Sequence, residues 1–371
     1  LIDLAPIGGS RYQFMYDDAT NGDQTAGDGT YSYLHLVDPG IASGPYDLVV
    51  SAKDSMNISG IDSTLAITVQ GTVEPIRILT DELNDDFGPN QFGREGLYYV
   101  YPTNQVFAKR AFDLESMTIF ETSKIVGGEI IPSLAFEVKM GQVPDPSLEG
   151  NANWNPPYAD INIQKIDIMI DAFKGGATEG LPNRQNDFTS WDAWDFAVVM
   201  EGWYKAVLTS NNQNTPSAWS QTVAKSDKDI ILIADFINNT ITGVVSMESL
   251  GNPTAEDIQK WDITVVMTSH DGNSDDNNFG DTRWVNASVS EWQIGGGDNS
   301  DRDPNIMDLM LSPGTGKTAG RTQSEILDWK TAESTERVNN GLTPCYIDMT
   351  TFEDQGPPAI DVGDKISETV P

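Results

Sequence analysis

Cysteine is almost missing from this 371-residue chain: Cys345 stands alone, so no intrachain disulfide can form and no cysteine-based metal site can be built. Histidine is nearly as scarce, with His35 and His270 far apart in sequence, which argues against zinc ligation of the His/Cys type. Basic residues are few. Against 56 Asp and Glu there are only 22 Lys and Arg, a net charge of −34. Such a surface repels phosphate, so nucleic acid and anionic membrane are excluded as partners. No apolar run reaches the roughly 18 residues a spanning helix needs. The chain opens on Leu1 rather than Met and shows no signal peptide, as expected of a processed segment.

What the chain has is β-strand signal and oxygen ligands. Its apolar content is 38%, with nine Trp, enough for a sizeable core. Residues 1–73 read as a small all-β unit with strands at YSYLHL, YDLVVSA and STLAITV, an immunoglobulin-like sandwich short of its first strand. A short joint at QGTVEP leads into a second run of strands: LAFEVKM, IQKIDIMID, WDFAVVM, YKAVLT, DIILIADF, TITGVVSM, WDITVVMTS and WVNASVSEWQI. The Asn238-Asn239 pair between two of them predicts a hairpin, because Asn tolerates positive φ. One amphipathic helix is expected around Gln323–Val338 and an extended tail over 351–371. The fold class is therefore all-β: an immunoglobulin-like unit followed, over 74–350, by a larger antiparallel sandwich with one short helix.

The stretch GGGDNSDRDPNIMDLM places Asp298, Asp301, Asp303 and Asp308 behind three glycines. Like charges so close repel by roughly 1 kcal/mol per pair even in water. Short Asp and Asn side chains on a permissive backbone let several oxygens converge, as Ca²⁺ requires. Asp85 and Asp86 near the start of the second unit have the same character, and the reading is that early and late strands bring these acids to shared calcium sites. The alternative is a set of solvated loops. His270–Asp281 and Asp17–Gly29 are further acidic candidates, neither with EF-hand spacing.

Among the aromatics, Trp154 and Tyr158 in NANWNPPYAD are expected to be exposed and able to stack on sugar rings. Trp194, Trp203, Trp261 and Trp292 are expected in the core. Sequons at Asn57, Asn238 and Asn286 are compatible with glycosylation of an exported protein. A glycosidase carboxylate pair has only the abundance of acids behind it. GTGK at Gly314–Lys317 lacks the spacing of a phosphate loop.

Several phrases in order, DDFGPN (Asp85–Asn90), YVYPTNQVF, AFDLESM, IDIMID, EGLPNRQNDF, MEGW, FGDTRWVNA, SEWQIGGGD and DPNIMDLM, resemble the C-terminal module of glucodextranase, found also behind amylopullulanases. The resemblance covers about residues 76–350 and departs at Asn90-Gln91, where that family has two glycines. It implies a non-catalytic β-sandwich related to carbohydrate-binding modules and DOMON-type domains, one that binds sugar or anchors enzymes at the cell surface. Residues 15–33 resemble the immunoglobulin-like domains of bacterial and archaeal surface proteins. Two functions follow as expectations. The first is an extracellular, calcium-stabilised surface protein acting in attachment or self-assembly, with Leu1–Ile7 and Asp361–Pro371 as exchangeable segments. The second is a carbohydrate-binding module of a secreted polysaccharide-degrading enzyme, with a cell-surface polysaccharide as partner.

Overall fold

A computed structural model describes residues 1–347 apart from 19, 24, 36, 38–40, 42–43, 54–58, 70–73, 128, 145–155, 157, 160, 191, 211–220, 272–280, 299–301 and 312–321. Asn57, Trp154, Asp301 and the expected segment Asp361–Pro371 lie outside the described residues. Near the N-terminus, β1 (Gly44–Lys53) and β2 (Ser59–Val69) form an antiparallel hairpin. Ile2, Leu4, Ile7 and Leu48 make a small core there. Among the described residues of YSYLHL, expected as a strand, Ser32 alone is bridged, to Tyr16. The first residues are paired within the chain: Ile2 bridges Val50, and Leu1 and Ser51 exchange backbone hydrogen bonds of 2.9 Å.

The larger unit is a two-sheet sandwich. After β3 (Arg77–Thr80) come the long hairpin strands β4 (Leu114–Val126) and β5 (Glu129–Met140), then β6 (Gln164–Asp171) and the short β7 (Asn186–Phe188). Next are β8 (Phe196–Glu201), β9 (Lys205–Ser210), β10 (Gln221–Ala224), β11 (Ile230–Asp235), β12 (Thr240–Ser246) and β13 (Asp262–Ser269). The short β14 (Trp284–Val285) and β15 (Gln293–Ile294), then β16 (Asp308–Leu311) and β17 (Cys345–Ile347), complete it. One sheet runs β10-β9-β8-β6-β13-β16 and the other β11-β12-β5-β4-β3. The Asn238-Asn239 turn joins β11 to β12, with Asn239 at φ 57°.

Side-chain alternation decides what each face meets. Ile166, Ile168 and Ile170 of β6, with Val198 and Met200 of β8, face the inter-sheet core, against Phe136, Val138 and Ile119 of the other sheet. Met169, Ala197 and Val199 point the other way into a second core, closed by Trp194, Leu309, Leu327 and Ile347. The central strands β6, β8 and β13 of the six-stranded sheet are thus buried on both faces, while the edge strand β10 is exposed. Within that second layer lie the ion pairs Lys165–Glu201 (2.9 Å) and Arg184–Asp167 (2.7 Å), all four side chains almost wholly buried.

Three details differ from the sequence expectation. Gln323–Val338 is two helices, α2 (Gln323–Ile326) and α3 (Ala332–Asn339), following α1 (Ala255–Lys260) earlier in the chain. Thr322 and Thr331 each act as an N-cap, so the second threonine starts a new helix rather than continuing the first. WVNASVSEWQI is no single strand; only β14 and β15 pair, in parallel, across a loop. Trp292, expected in the core, sits on that loop and is 66% exposed.

Candidate functional site

The segment DDFGPN is held by its backbone. Gly88 N donates to Met307 O (2.8 Å) and Tyr99 N to Phe87 O (2.9 Å). From α2, Gln323 Nε2 donates to Asp85 O (2.7 Å) and Gly88 O (2.9 Å). Gly88 has φ 66° and lies against the Tyr99 ring, where a Cβ would overlap it. Asn90, at the departure from the family's glycine pair, takes φ 50°, a conformation Asn adopts more readily than most residues.

This fixed loop brings carboxylates together where the edge strands of both sheets meet. β3 ends at Thr80 and is followed by Asp81; Asp113 precedes β4; Asp308 opens β16. A register shift between Leu114 and Ser116 leaves the Leu114 N–H outside the ladder, and Asp308 Oδ2 accepts it at 2.7 Å. Asp308 Oδ1 accepts from Leu309 N (2.9 Å), and Asp113 Oδ1 from Asn84 N (2.8 Å). One oxygen each from Asp85, Asp113 and Asp308 lies within 4.8 Å of the other two. All three residues are buried, and Asp86 is buried beside them. The only cation paired to this group among the described residues is Arg110, which bonds Asp113 and is shared with Glu115. Buried oxygens of Asp81, Asp85 and Asp86 have no hydrogen-bond partner among the described residues. Burial, with repulsion between neighbours, pushes Asp81 up to about 8, Asp85 to about 6 and Asp86 to about 7, and Asp308 well above the usual carboxylate range.

Of the acids singled out in sequence, the fold therefore joins Asp85 and Asp308, with Asp86 alongside. Asp81 and Asp113, which the sequence reading passed over, join them; the clue was AFDLESM, whose Asp stands immediately before a strand. Asp298 and Asp303 are placed differently. Asp303 is buried and its Oδ2 accepts from Asp298 N (2.9 Å), while Asp298 is exposed. The three glycines serve packing: Gly295 bridges Val100, Gly296 takes φ 89° against the Tyr98 carbonyl, and Gly297 abuts the Asp303 carboxylate. Asp17, Asp23 and Asp28 form a second triplet, in which Asp17 also accepts from Asp28 N (3.0 Å) and Gly29 N (3.1 Å). His270 is buried in the second layer, stacked on Trp203 at 4.2 Å, and burial pushes it down to about 3.

The aromatic positions divide in a similar way. Tyr158 is half-buried at the edge of the core, with Lys205 Nζ 4.9 Å above its ring centroid. It lines a cleft of about 740 Å³ between the N-terminal hairpin unit and the sandwich, with Tyr33, Phe236 and Asp227. Elsewhere an open aromatic surface forms. Along residues 97–100, Leu97 and Tyr99 point inward while Tyr98 and Val100 are exposed. Phe92, 63% exposed, lies 5.4 Å from Tyr98, and Phe87 stands 5.5 Å behind it, edge-on. Arg94, two residues on from Phe92, is bonded to Gln91 Oε1 (3.0 Å) and Asp328 Oδ2 (2.6 Å). The Val100–Gly295 bridge is antiparallel, so the exposed Trp292 lies towards Asn104, which bonds Glu291, and away from Tyr98. Of the sequons, Asn238 is exposed but its amide donates to Gly8 O and Asp235 Oδ2, both at 2.9 Å; Asn286 is half-buried.

The sequence profile of one family, described as the C-terminal, SLH-like binding module of glucodextranase, matches residues 76–339. The chain belongs to this glucodextranase C-terminal module family. The matched span takes in both sheets, the carboxylate cluster and the aromatic surface, and stops short of β17. The N-terminal hairpin unit lies outside it. No curated protein matches the chain. Among the described residues no helix is long and apolar enough to cross a membrane.

Proposed function

We propose that this chain is a non-catalytic polysaccharide-binding module, secreted or displayed at the cell surface as part of a glycan-degrading system. The observation that carries the reading is the open pair of rings Phe92 and Tyr98, next in the chain to the Arg94–Asp328–Gln91 polar group. A pyranose has an apolar C–H face and a rim of hydroxyls. Exposed rings bury the face, and fixed donors and acceptors beside them meet the rim. Exposed large aromatics grouped in this way are unusual on a surface otherwise dominated by carboxylates. The family's description as a binding module of glucodextranase supports an α-glucan as the first ligand to try.

Two further observations favour binding over hydrolysis and over assembly. Away from the carboxylate cluster, Asp195 and Glu201, each with a raised pKa, are buried among packed side chains and unavailable as a glycosidase acid. Leu1 and Ile2, expected as a free edge for strand exchange, pair with β1 of their own chain.

The test is retention on insoluble starch, dextran and cellulose, with titration calorimetry against soluble oligosaccharides. The wild type should be retained by at least one α-glucan. Phe92→Ala with Tyr98→Ala should weaken that retention at least tenfold with the protein still folded. A wild type held by none of the glycans, or a variant held equally well, would remove the basis of the proposal.

A further inference from the structure

We propose that Asp85, Asp113 and Asp308 bind one calcium ion that clasps the edge strands of the two sheets, with Asp81 and Asp86 completing the anionic shell. The argument begins with geometry. Two oxygens on one Ca²⁺, each roughly 2.3–2.6 Å from it, can be no more than about 5 Å apart. The three carboxylates meet that limit, with oxygens mutually within 4.8 Å. They arrive from the loop after β3, the start of β4 and the start of β16, so one ion would tie together segments more than two hundred residues apart.

The second observation is independent of the clustering. Asp85 is 6% exposed, yet among the described residues its Oδ1 has no hydrogen-bond partner and no cation is paired with it. Its neighbours are differently placed: both oxygens of Asp113 and of Asp308 are oriented by N–H groups or by Arg110. Such bonds are typical of outer-shell groups that fix the direction of a metal-binding carboxylate while leaving a lone pair free. A buried carboxylate oxygen without a donor is costly, and a cation is the partner that answers it. The charge count agrees: five carboxylates meet one guanidinium, itself shared with Glu115. Oxygen donors alone, crowded and irregular, suit Ca²⁺ better than the smaller and more strictly octahedral Mg²⁺.

Asp85→Asn makes a clean probe, because among the described residues the Asp85 side chain bonds no group beyond its own backbone, so the loop is not held through it. The full chain, stripped with EDTA, is titrated with CaCl₂ by calorimetry, and urea midpoints are measured in EDTA, Ca²⁺ and Mg²⁺. Wild type should bind one more Ca²⁺ than Asp85→Asn, or bind at that site at least tenfold more tightly. Stabilities should also cross. In EDTA the variant should have the higher midpoint, since it relieves repulsion; in Ca²⁺ the wild type should. Identical Ca²⁺ binding by the two proteins would assign the ion elsewhere, for instance to Asp17–Asp23–Asp28, and overturn the proposal. So would the absence of any Ca²⁺-dependent shift, or a shift that Mg²⁺ reproduces in full.

Discussion

Replacing Arg184 with Met should be among the most damaging single substitutions in the sandwich. Arg184 grips Asp167 through two bonds, Nε to Oδ2 at 2.7 Å and Nη2 to Oδ1 at 3.0 Å. Its Nη1 reaches Thr282 Oγ1 (2.9 Å) and Pro182 O (3.0 Å), so one side chain joins β6, the 182–184 turn and the segment after residue 281. Both partners are 1% exposed. Met fills similar volume but leaves Asp167 buried without its bidentate partner, and breaking a buried pair from one side costs about 3–5 kcal/mol. Lys165 also acts on Asp167 electrostatically, though it is chiefly engaged by Glu201, which places the expectation near the lower end. A loss of about 3 kcal/mol would lower the melting temperature by roughly 6–12 °C for a domain of this size. The assay is urea unfolding followed by tryptophan fluorescence on wild type, Arg184→Met, Asp167→Leu and the double variant. Removing both charges should recover much of the loss, with a coupling of about 2 kcal/mol or more. A single-variant loss under about 1 kcal/mol, or two losses that simply add, would refute the view that this pair matters through the charge left behind.

Asp195 gives a pH test away from the carboxylate cluster. Burial raises its carboxyl to about 7 even though Ala172 N (2.8 Å) and Phe173 N (2.7 Å) donate to it. A folded pKa above the unfolded one means the folded state holds the extra proton. That stability is complete below about pH 4 and is lost as pH rises to about 7. Asp195→Asn should therefore gain on wild type between pH 5 and pH 8 by about 2 kcal/mol, read from paired urea midpoints; parallel curves would disprove the shift. Gly88→Ala should cost about 2–3 kcal/mol, from a left-handed φ of 66° together with overlap on Tyr99, and a neutral result in thermal unfolding would mean the DDFGPN loop is not held as described. Thr254→Ala removes the capping box with Asp257 at the start of α1 and should cost about 1 kcal/mol in the same assay.

The sheets were readable where one physical rule acted alone. In DIILIADF and TITGVVSM, apolar strand-length runs flank an Asn pair, and β11 and β12 form there with Asn239 at positive φ. IQKIDIMID alternates as a strand with one wet face should, yet that second face is also covered. Lys165 and Asp167 look solvent-facing in sequence because nothing local announces Glu201 and Arg184, which arrive as partners from 36 and 17 residues away. Trp292 misled for a related reason. Its phrase WVNASVSEWQI has strand composition, but Gly295 is committed to bridging Val100, and the ladder cannot extend back through the loop. At Gln323–Val338 helical periodicity was legible, while the second cap at Thr331 outweighed continuity.

The acidic residues show why abundance alone could not resolve a site. In sequence Asp298, Asp301, Asp303 and Asp308 form one run, and proximity along the chain suggested a shared role. The strand β16 begins at Asp308, and that single change of backbone state directs its side chain to the other sheet, where a bulge at Leu114 presents an N–H for it. Asp303, five residues earlier, folds back on its own turn to take Asp298 N. What separates the two is the bulge and the edge position of β16, neither of which has a local sequence marker. The same two features recruit Asp113, whose only hint was its place before a strand. A long-range meeting of edge strands thus built the cluster, and the proposed ion would act on stability by holding that meeting closed. Glycan affinity at Phe92 and Tyr98 should accordingly survive Asp85→Asn in the cold, and be lost on warming at a lower temperature than for the calcium-loaded wild type. Loss of affinity at a temperature where the variant is still fully folded would instead place the two sites in direct communication.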